Sequence, residues 1–171
     1  MGYTHFDKVS GKNGLAVGAR GSEVTCYDAS GYPYHVGTKM IASPARKVVV
    51  LPLGAVSSTT TFCAFIAPAA GSLNACSLVT QNAISASDTN YWTVSLIDKG
   101  SDGTQSNTIA SKTTKATGGT AFAAYDAWDI GTLSTTHKVL AAGDVVVLTL
   151  AASGSPTAFA EAAVMLEFIY S

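Results

Sequence analysis

"EAAVMLEFIYS", residues 161 to 171, decides how the chain is read. Glu, Ala, Met and Leu are good helix formers, so composition alone permits a closing helix. The spacing argues otherwise. Val164, Leu166, Phe168 and Tyr170 alternate with Met165 and Glu167, and the run ends in bulky, β-favouring Phe-Ile-Tyr. A strand here makes the whole chain all-β, because no other segment has helical periodicity with caps.

Working back toward the N-terminus, "GDVVVLTLAASGSP" (143–156) reads as a strong strand closed by a Gly/Ser/Pro turn. "NYWTVSLIDKG" (90–100) puts Trp92, Val94 and Leu96 on one face and Thr93 and Ser95 on the other, a half-buried strand. "SDGTQ" after it carries an Asp-Gly turn signal, and "SNTIASKT" reads as a weaker edge strand. "KVVVLPLG" (47–54) is dense in β-branched residues and is expected to end at its glycine, and "TTTFCAFIAP" to stop at Pro68. "GSLNACSLVTQN" is two-faced: Leu73, Ala75, Ser77 and Val79 alternate with Asn74, Cys76, Leu78 and Thr80. "WDIGTLSTTHKV" holds at most a short strand, and "KATGGTAFAAY" has no readable state beyond its Gly loop. Residues 46–171 thus give about eight short strands at the spacing of sandwiches and barrels. A jelly-roll-like β-sandwich is the economical architecture.

Residues 1–45 behave differently. Glycines at 2, 11, 14, 18, 21, 31 and 37 break any helix. Between them lie Phe6, Val9, Leu15, Val17, Val24, Tyr27, Tyr32, Tyr34 and Val36, apolar groups that a solvated linker would lack. These groups need a burial site. The expectation is an extended N-terminal arm docking on partner subunits, its main chain pairing with edge strands; the alternative is that it packs back on its own domain.

Hydrophobic residues make up 47% and charged residues 12% of the chain, half the usual ~25%, so Ser, Thr, Gly and Ala must build the surface. Net charge is −1 with no basic run, which gives direct nucleic-acid binding no electrostatic support. "MGYTHFDKVS" has no apolar core of the secretory kind, and no apolar run approaches the ~20 residues that span a bilayer. The three cysteines, Cys26, Cys63 and Cys76, lack CxxC spacing. Cys63 and Cys76 sit in apolar strand-like runs and are expected to be buried hydrophobes in a reducing compartment.

Chemistry is sparse. His5, His35 and His137 have no metal-type partner at close spacing. "DKGSDG" (98–103) lacks calcium-loop spacing and reads as a solvated turn. "AYDAWD" places Asp126 and Asp129 beside Tyr125 and Trp128, which admits a sugar-stacking face but fits core or interface aromatics better. "GKNG" and "GARGS" lack the ending of a phosphate loop, and no GxSxG nucleophile motif occurs. No enzymatic activity, cofactor or metal is expected.

"APAAGSLNACSLVTQNA", "NYWTVSLIDKGSDGT", "LAAGDVVVLTLAASGSP" and the closing "EAAVMLEFIYS" together resemble, in their order, the jelly-roll domains of tailed-bacteriophage virion proteins. "YTHFDKVSGKNGLAVGARGSEV" resembles the leading segments of small phage proteins that decorate the head. These turn-and-strand patterns are shared with TNF-like and tail-fibre domains. The resemblance implies a capsid decoration, or cement, protein. Such a protein is made in the host cytoplasm and carried on the virion. It is a homotrimer that binds the major capsid protein, and its arms clamp neighbouring subunits of the shell. It implies no membrane and no nucleic-acid partner. On that expectation Phe6, Val9, Leu15, Val17 and Val24 are the arm's apolar anchors, and Lys12 and Arg20 face an acidic capsid surface. The alternative is a receptor- or glycan-binding jelly roll of a tail fibre or spike, working through loops such as "SDGTQSN" and the aromatics Tyr125 and Trp128. No heptads or repeats supply the shaft such a tip requires.

Overall fold

The structure is a computed structural model. It describes the backbone of residues 15–17, 25–27, 33–35, 38–39 and 46–170, and side chains over 46–170. The chain divides into two compact units, Met1–Ala45 and Arg46–Ser171. In the first, β1 (Leu15–Val17), β2 (Thr25–Tyr27), β3 (Pro33–His35) and β4 (Thr38–Lys39) pair in sequence order as an antiparallel meander.

The second unit is a β-sandwich of β5 (Arg46–Val56), β6 (Thr60–Ile66), β7 (Gly71–Thr80), β8 (Tyr91–Asp98), β9 (Asn107–Thr113), β10 (Trp128–Asp129), β11 (Val139–Leu140), β12 (Val145–Ser153) and β13 (Phe159–Tyr170). No helix occurs among the described residues. One sheet has the order β10-β7-β13-β5, the other β6-β12-β8-β9, and every pairing is antiparallel. β11 lies on the same strand as β10: Trp128 pairs Leu78 near the end of β7, and Leu140 pairs Gly71 at its start. The two short strands therefore fill one interrupted position, and nine segments occupy the eight places of a jelly roll.

Alternation explains the core. β8 buries Trp92, Val94, Leu96 and Asp98, β12 buries Val146, Leu148 and Leu150, and β13 buries Val164, Leu166 and Phe168. Trp92 packs on Phe159 at 5.0 Å between ring centres and donates its indole N–H to the Thr157 carbonyl at 2.9 Å. The closing segment is a strand at the centre of its sheet, between β5 and β7.

Three strands depart from the expected reading, each through local geometry. β5 does not end at Gly54 but continues to Val56. It tolerates Pro52 because it is an edge strand, and Gly54 (φ +66°) absorbs the register shift opposite Ala162. In β7 an extra residue, Asn74, lies between Leu73, opposite Phe168, and Ala75, opposite Glu167. This bulge moves the buried series from Leu73 to Cys76 and Leu78, which is why the sequence looked two-faced. In β6 the extra residue is Ala64, between Phe65, opposite Val146, and Cys63, opposite Val147. Ala64 and Phe65 are both buried, and Cys63 is turned outward. The expectation that Cys63 is a buried hydrophobe is thereby corrected; Cys76 is buried. Phe122, in the segment with no readable state, bridges Ile84 and packs into the core on Trp128 at 4.8 Å.

Candidate functional site

Of the arm residues singled out from sequence, Leu15 and Val17 lie in β1. Phe6, Val9, Lys12, Arg20 and Val24 lie outside the described residues, as do His5 and the apolar residues Tyr32 and Val36.

The aromatic loop does not form a stacking platform. Trp128 is buried, with the Lys112 ammonium over its ring at 4.5 Å. Asp129 caps the following turn, its Oδ1 accepting from the Gly131 N–H at 3.1 Å. Only Tyr125 is displayed, 76% exposed and held at φ +57° by a main-chain bond from its N–H to the Thr80 carbonyl. This splits the pair that a sugar ring would need.

The outer face of the β6-β12-β8-β9 sheet is lined by hydroxyls. Thr61 and Thr149 are hydrogen-bonded at 3.1 Å, and Ser95 and Ser111 at 2.9 Å, in one row across all four strands. Cys63 and Val147 pair in the next row. At the β8–β9 side of this face Lys112 and Lys115 border Tyr91, Thr93, Ser111 and Thr113, with the Lys115 ammonium 5.7 Å from the centre of the Tyr91 ring. On the other sheet, Val48 and Val50 of the edge strand β5 are 49% and 63% exposed, with Met165 opposite Val50. Glu167 is buried there between Arg46 (2.8 Å) and the Asn74 amide (2.9 Å).

One cluster of polar groups set in a hollow was not anticipated. It lies at the end of the sandwich where β8 finishes and β9, β11 and β12 begin. Asp98, Gln105, Asn107, His137 and Asp144 line an open pocket of about 490 Å³, with Val139 among its apolar walls. That volume falls in the ~300–1,000 Å³ range of small-molecule sites. The "DKGSDG" loop, read as a solvated turn, is only half so. Asp102 is exposed, and the Thr104 N–H and then its hydroxyl hold the Asp102 carboxyl below the ordinary carboxylate range. Asp98 is 5% exposed, its Oδ1 accepting from the Gly100 N–H at 2.7 Å. The signal was present in the sequence: the inward series Trp92, Val94, Leu96 continues by alternation to Asp98, an ionisable group at a core-facing position. His137 Nδ1 is buried with no hydrogen-bond partner among the described residues.

Among the described residues no three His, Cys, Asp or Glu side chains converge as a metal would require, and no helix is long and apolar enough to cross a membrane. Comparison with known proteins found no matching family model, no matching curated protein and no matching solved structure.

Proposed function

We propose that this chain is a structural virion protein that decorates and stabilises a phage capsid by binding the outer surface of the major capsid protein shell as a homotrimer. The observation that carries the reading is the division at Ala45/Arg46 into units of very unequal construction. Residues 46–171 close a complete core between two sheets. The first unit pairs four strands of only two or three residues, with apolar Leu15, Val17, Tyr27 and Tyr34 among them, which a partner surface could bury. A trimer multiplies such modest contacts, because after one clamp docks the others bind at high effective concentration. The hydroxyl-lined sheet face suits an exposed particle surface, being polar and readily hydrated.

The test is immunogold labelling of purified tailed-phage particles that carry the protein. Label over the head surface is expected, and residues 46–171 alone should stay folded yet fail to co-sediment with capsid shells. Label confined to the tail end would overturn the proposal in favour of adsorption. Full-strength shell binding by residues 46–171 would remove the clamp role from residues 1–45.

A further inference from the structure

The pocket at the end of the sandwich has no part in the decoration role, and its polar groups are incompletely satisfied. Asp98 spends one carboxylate oxygen on Gly100; no donor from the described residues reaches Oδ2, although the residue is nineteen-twentieths buried and lines the pocket. With no donor among the described residues, Asp98 Oδ2 is left open to the pocket as an acceptor for a group from outside the chain. Asp144 repeats the arrangement: Oδ2 takes the Ala141 N–H at 2.7 Å, and no described donor reaches Oδ1. Across the pocket, Asn107 Nδ2 donates to Gln105 Oε1 at 2.6 Å. That leaves Gln105 Nε2 as a donor and Asn107 Oδ1 as an acceptor with no described partner. His137 also lines the pocket, with its unpartnered Nδ1 buried behind the wall.

We propose that this pocket binds a neutral sugar residue, oriented by a hydroxyl donated to Asp98 Oδ2. The lining contains two carboxylates and neither Lys nor Arg, which disfavours uronates and sialic acids. A donor-only group such as an ammonium or guanidinium would satisfy the carboxylates but give nothing to Gln105 Nε2. Hydroxyls both donate and accept, and so complete every open position. Ala70, Val139 and Leu140 supply an apolar wall for the C–H face of the ring, with Val139 60% exposed.

The site is pre-organised. Lys99 N–H donates to the Val145 carbonyl (2.8 Å), Val145 N–H to Gly100 (3.1 Å) and Gln105 N–H to Lys99 (3.0 Å), which ties the loop bearing Gln105 to the start of β12. Little ordering entropy remains to be lost on binding. Without an aromatic platform the affinity is weak, on the order of millimolar.

The experiment is titration of the full-length, 15N-labelled protein with a panel of neutral methyl glycosides, reading the Gln105 and Asn107 side-chain amide signals. Arginine amide, calcium chloride and methyl glucuronide serve as comparison ligands. At least one neutral glycoside should shift both signals saturably. Asp98→Asn keeps the acceptor for Gly100 but turns Oδ2 into a donor, and should weaken binding about tenfold at unchanged Tm, the loss of one hydrogen bond to a charged acceptor. Gln105→Ala, at an exposed side chain, should weaken it similarly and decides the matter if Asp98→Asn fails to fold. The proposal is overturned if no neutral glycoside shifts these signals, if only arginine amide, calcium or the glucuronide does, or if the folded variants bind like the parent.

Discussion

Gly71→Ala is the sharpest probe of the packing between β7 and β13. Gly71 is buried at the first position of β7, opposite Tyr170 of β13 and Leu140 of β11. A Cβ added there would run into the Ile169 carbonyl oxygen and the edge of the Phe168 ring. The ring stacks on Phe65 at 5.1 Å and meets Tyr170 edge-on at 5.2 Å, so it cannot simply swing aside. The carbonyl belongs to a strand held by neighbours on both sides. Overpacking typically costs about 1–3 kcal/mol, and a collision with fixed main chain belongs at the upper end. At about 4 °C per kcal/mol for a unit of this size, Tm falls by roughly 10 °C. Gly103→Ala is the control. It carries the same methyl at φ +76° with no atom within 4 Å, so only backbone strain of about 1 kcal/mol applies. Both are read by thermal melts followed by circular dichroism. A Gly71→Ala protein melting within about two degrees of the parent would refute the registry of β7 against β13.

The two described cysteines should differ sharply in reactivity. Cys63 is exposed, whereas burial, with a smaller push from the Asp129 charge, raises the Cys76 thiol from 9.0 to about 12. Peptide mapping after iodoacetamide at neutral pH should find Cys63 alkylated and Cys76 intact, because the thiolate is the nucleophile. The raised pKa also stabilises the fold below pH 9 and is lost as pH rises toward 12, so the stability gap between the parent and Cys76→Ala should narrow over that window in denaturant titrations. Arg46→Ala leaves the buried Glu167 carboxylate with only the Asn74 amide. Since Arg46 is itself 62% exposed, the cost should be only about 0.5–1 kcal/mol in urea melts and should shrink in high salt. At Tyr125, relief of left-handed strain and the added chain entropy of glycine nearly cancel. Tyr125→Gly should melt with the parent while Tyr125→Val, β-branched at φ +57°, should melt lower.

What the sequence revealed depended on whether alternation ran unbroken. β8 and β12 were legible because Trp92-Val94-Leu96 and Val146-Leu148-Leu150 keep one phase from end to end. The closing strand kept it over Val164-Leu166-Phe168, enough to outweigh its helix-forming residues. In β6 Cys63 was misplaced, and in β7 the buried face stayed ambiguous, at the points where Ala64 and Asn74 enter as extra residues. A bulge reverses the faces beyond it without any composition signal, so Cys63 was assigned to the wrong side. β10 and β11 were nearly invisible, since two residues cannot display a period. The pocket was hidden for another reason. Asp98, Gln105 and Asn107 are neighbours in sequence, but His137 and Asp144 reach the same hollow only because β11 and β12 start beside the end of β8. The sole local clue was a carboxylate at the inward phase of β8.

The placement of that pocket follows from the jelly roll itself. Apart from the β8–β9 hairpin, successive segments from β5 to β13 alternate between the sheets or fill the interrupted β10/β11 position, so each end of the sandwich gathers loops that are remote in sequence. The end carrying Asp98 is knitted by main-chain bonds that extend the β6–β12 ladder, Ala67 N–H to the Asp144 carbonyl and Gly143 N–H to the Ala67 carbonyl at 2.9 and 2.8 Å. A buried carboxylate can be held there without collapse of the loops because their backbone groups are already paired with one another. The opposing requirement falls on β5, whose edge has no partner strand among the described residues and whose exposed Val48 and Val50 would promote edge-to-edge association in an isolated sandwich. Arg46, Lys47 and Pro52 on that strand are the devices by which sheet edges are kept from indiscriminate pairing. The jelly roll therefore separates two kinds of surface: an end whose polar side chains are set on paired main chain, and a β5 edge whose exposed valines are flanked by Arg46, Lys47 and Pro52.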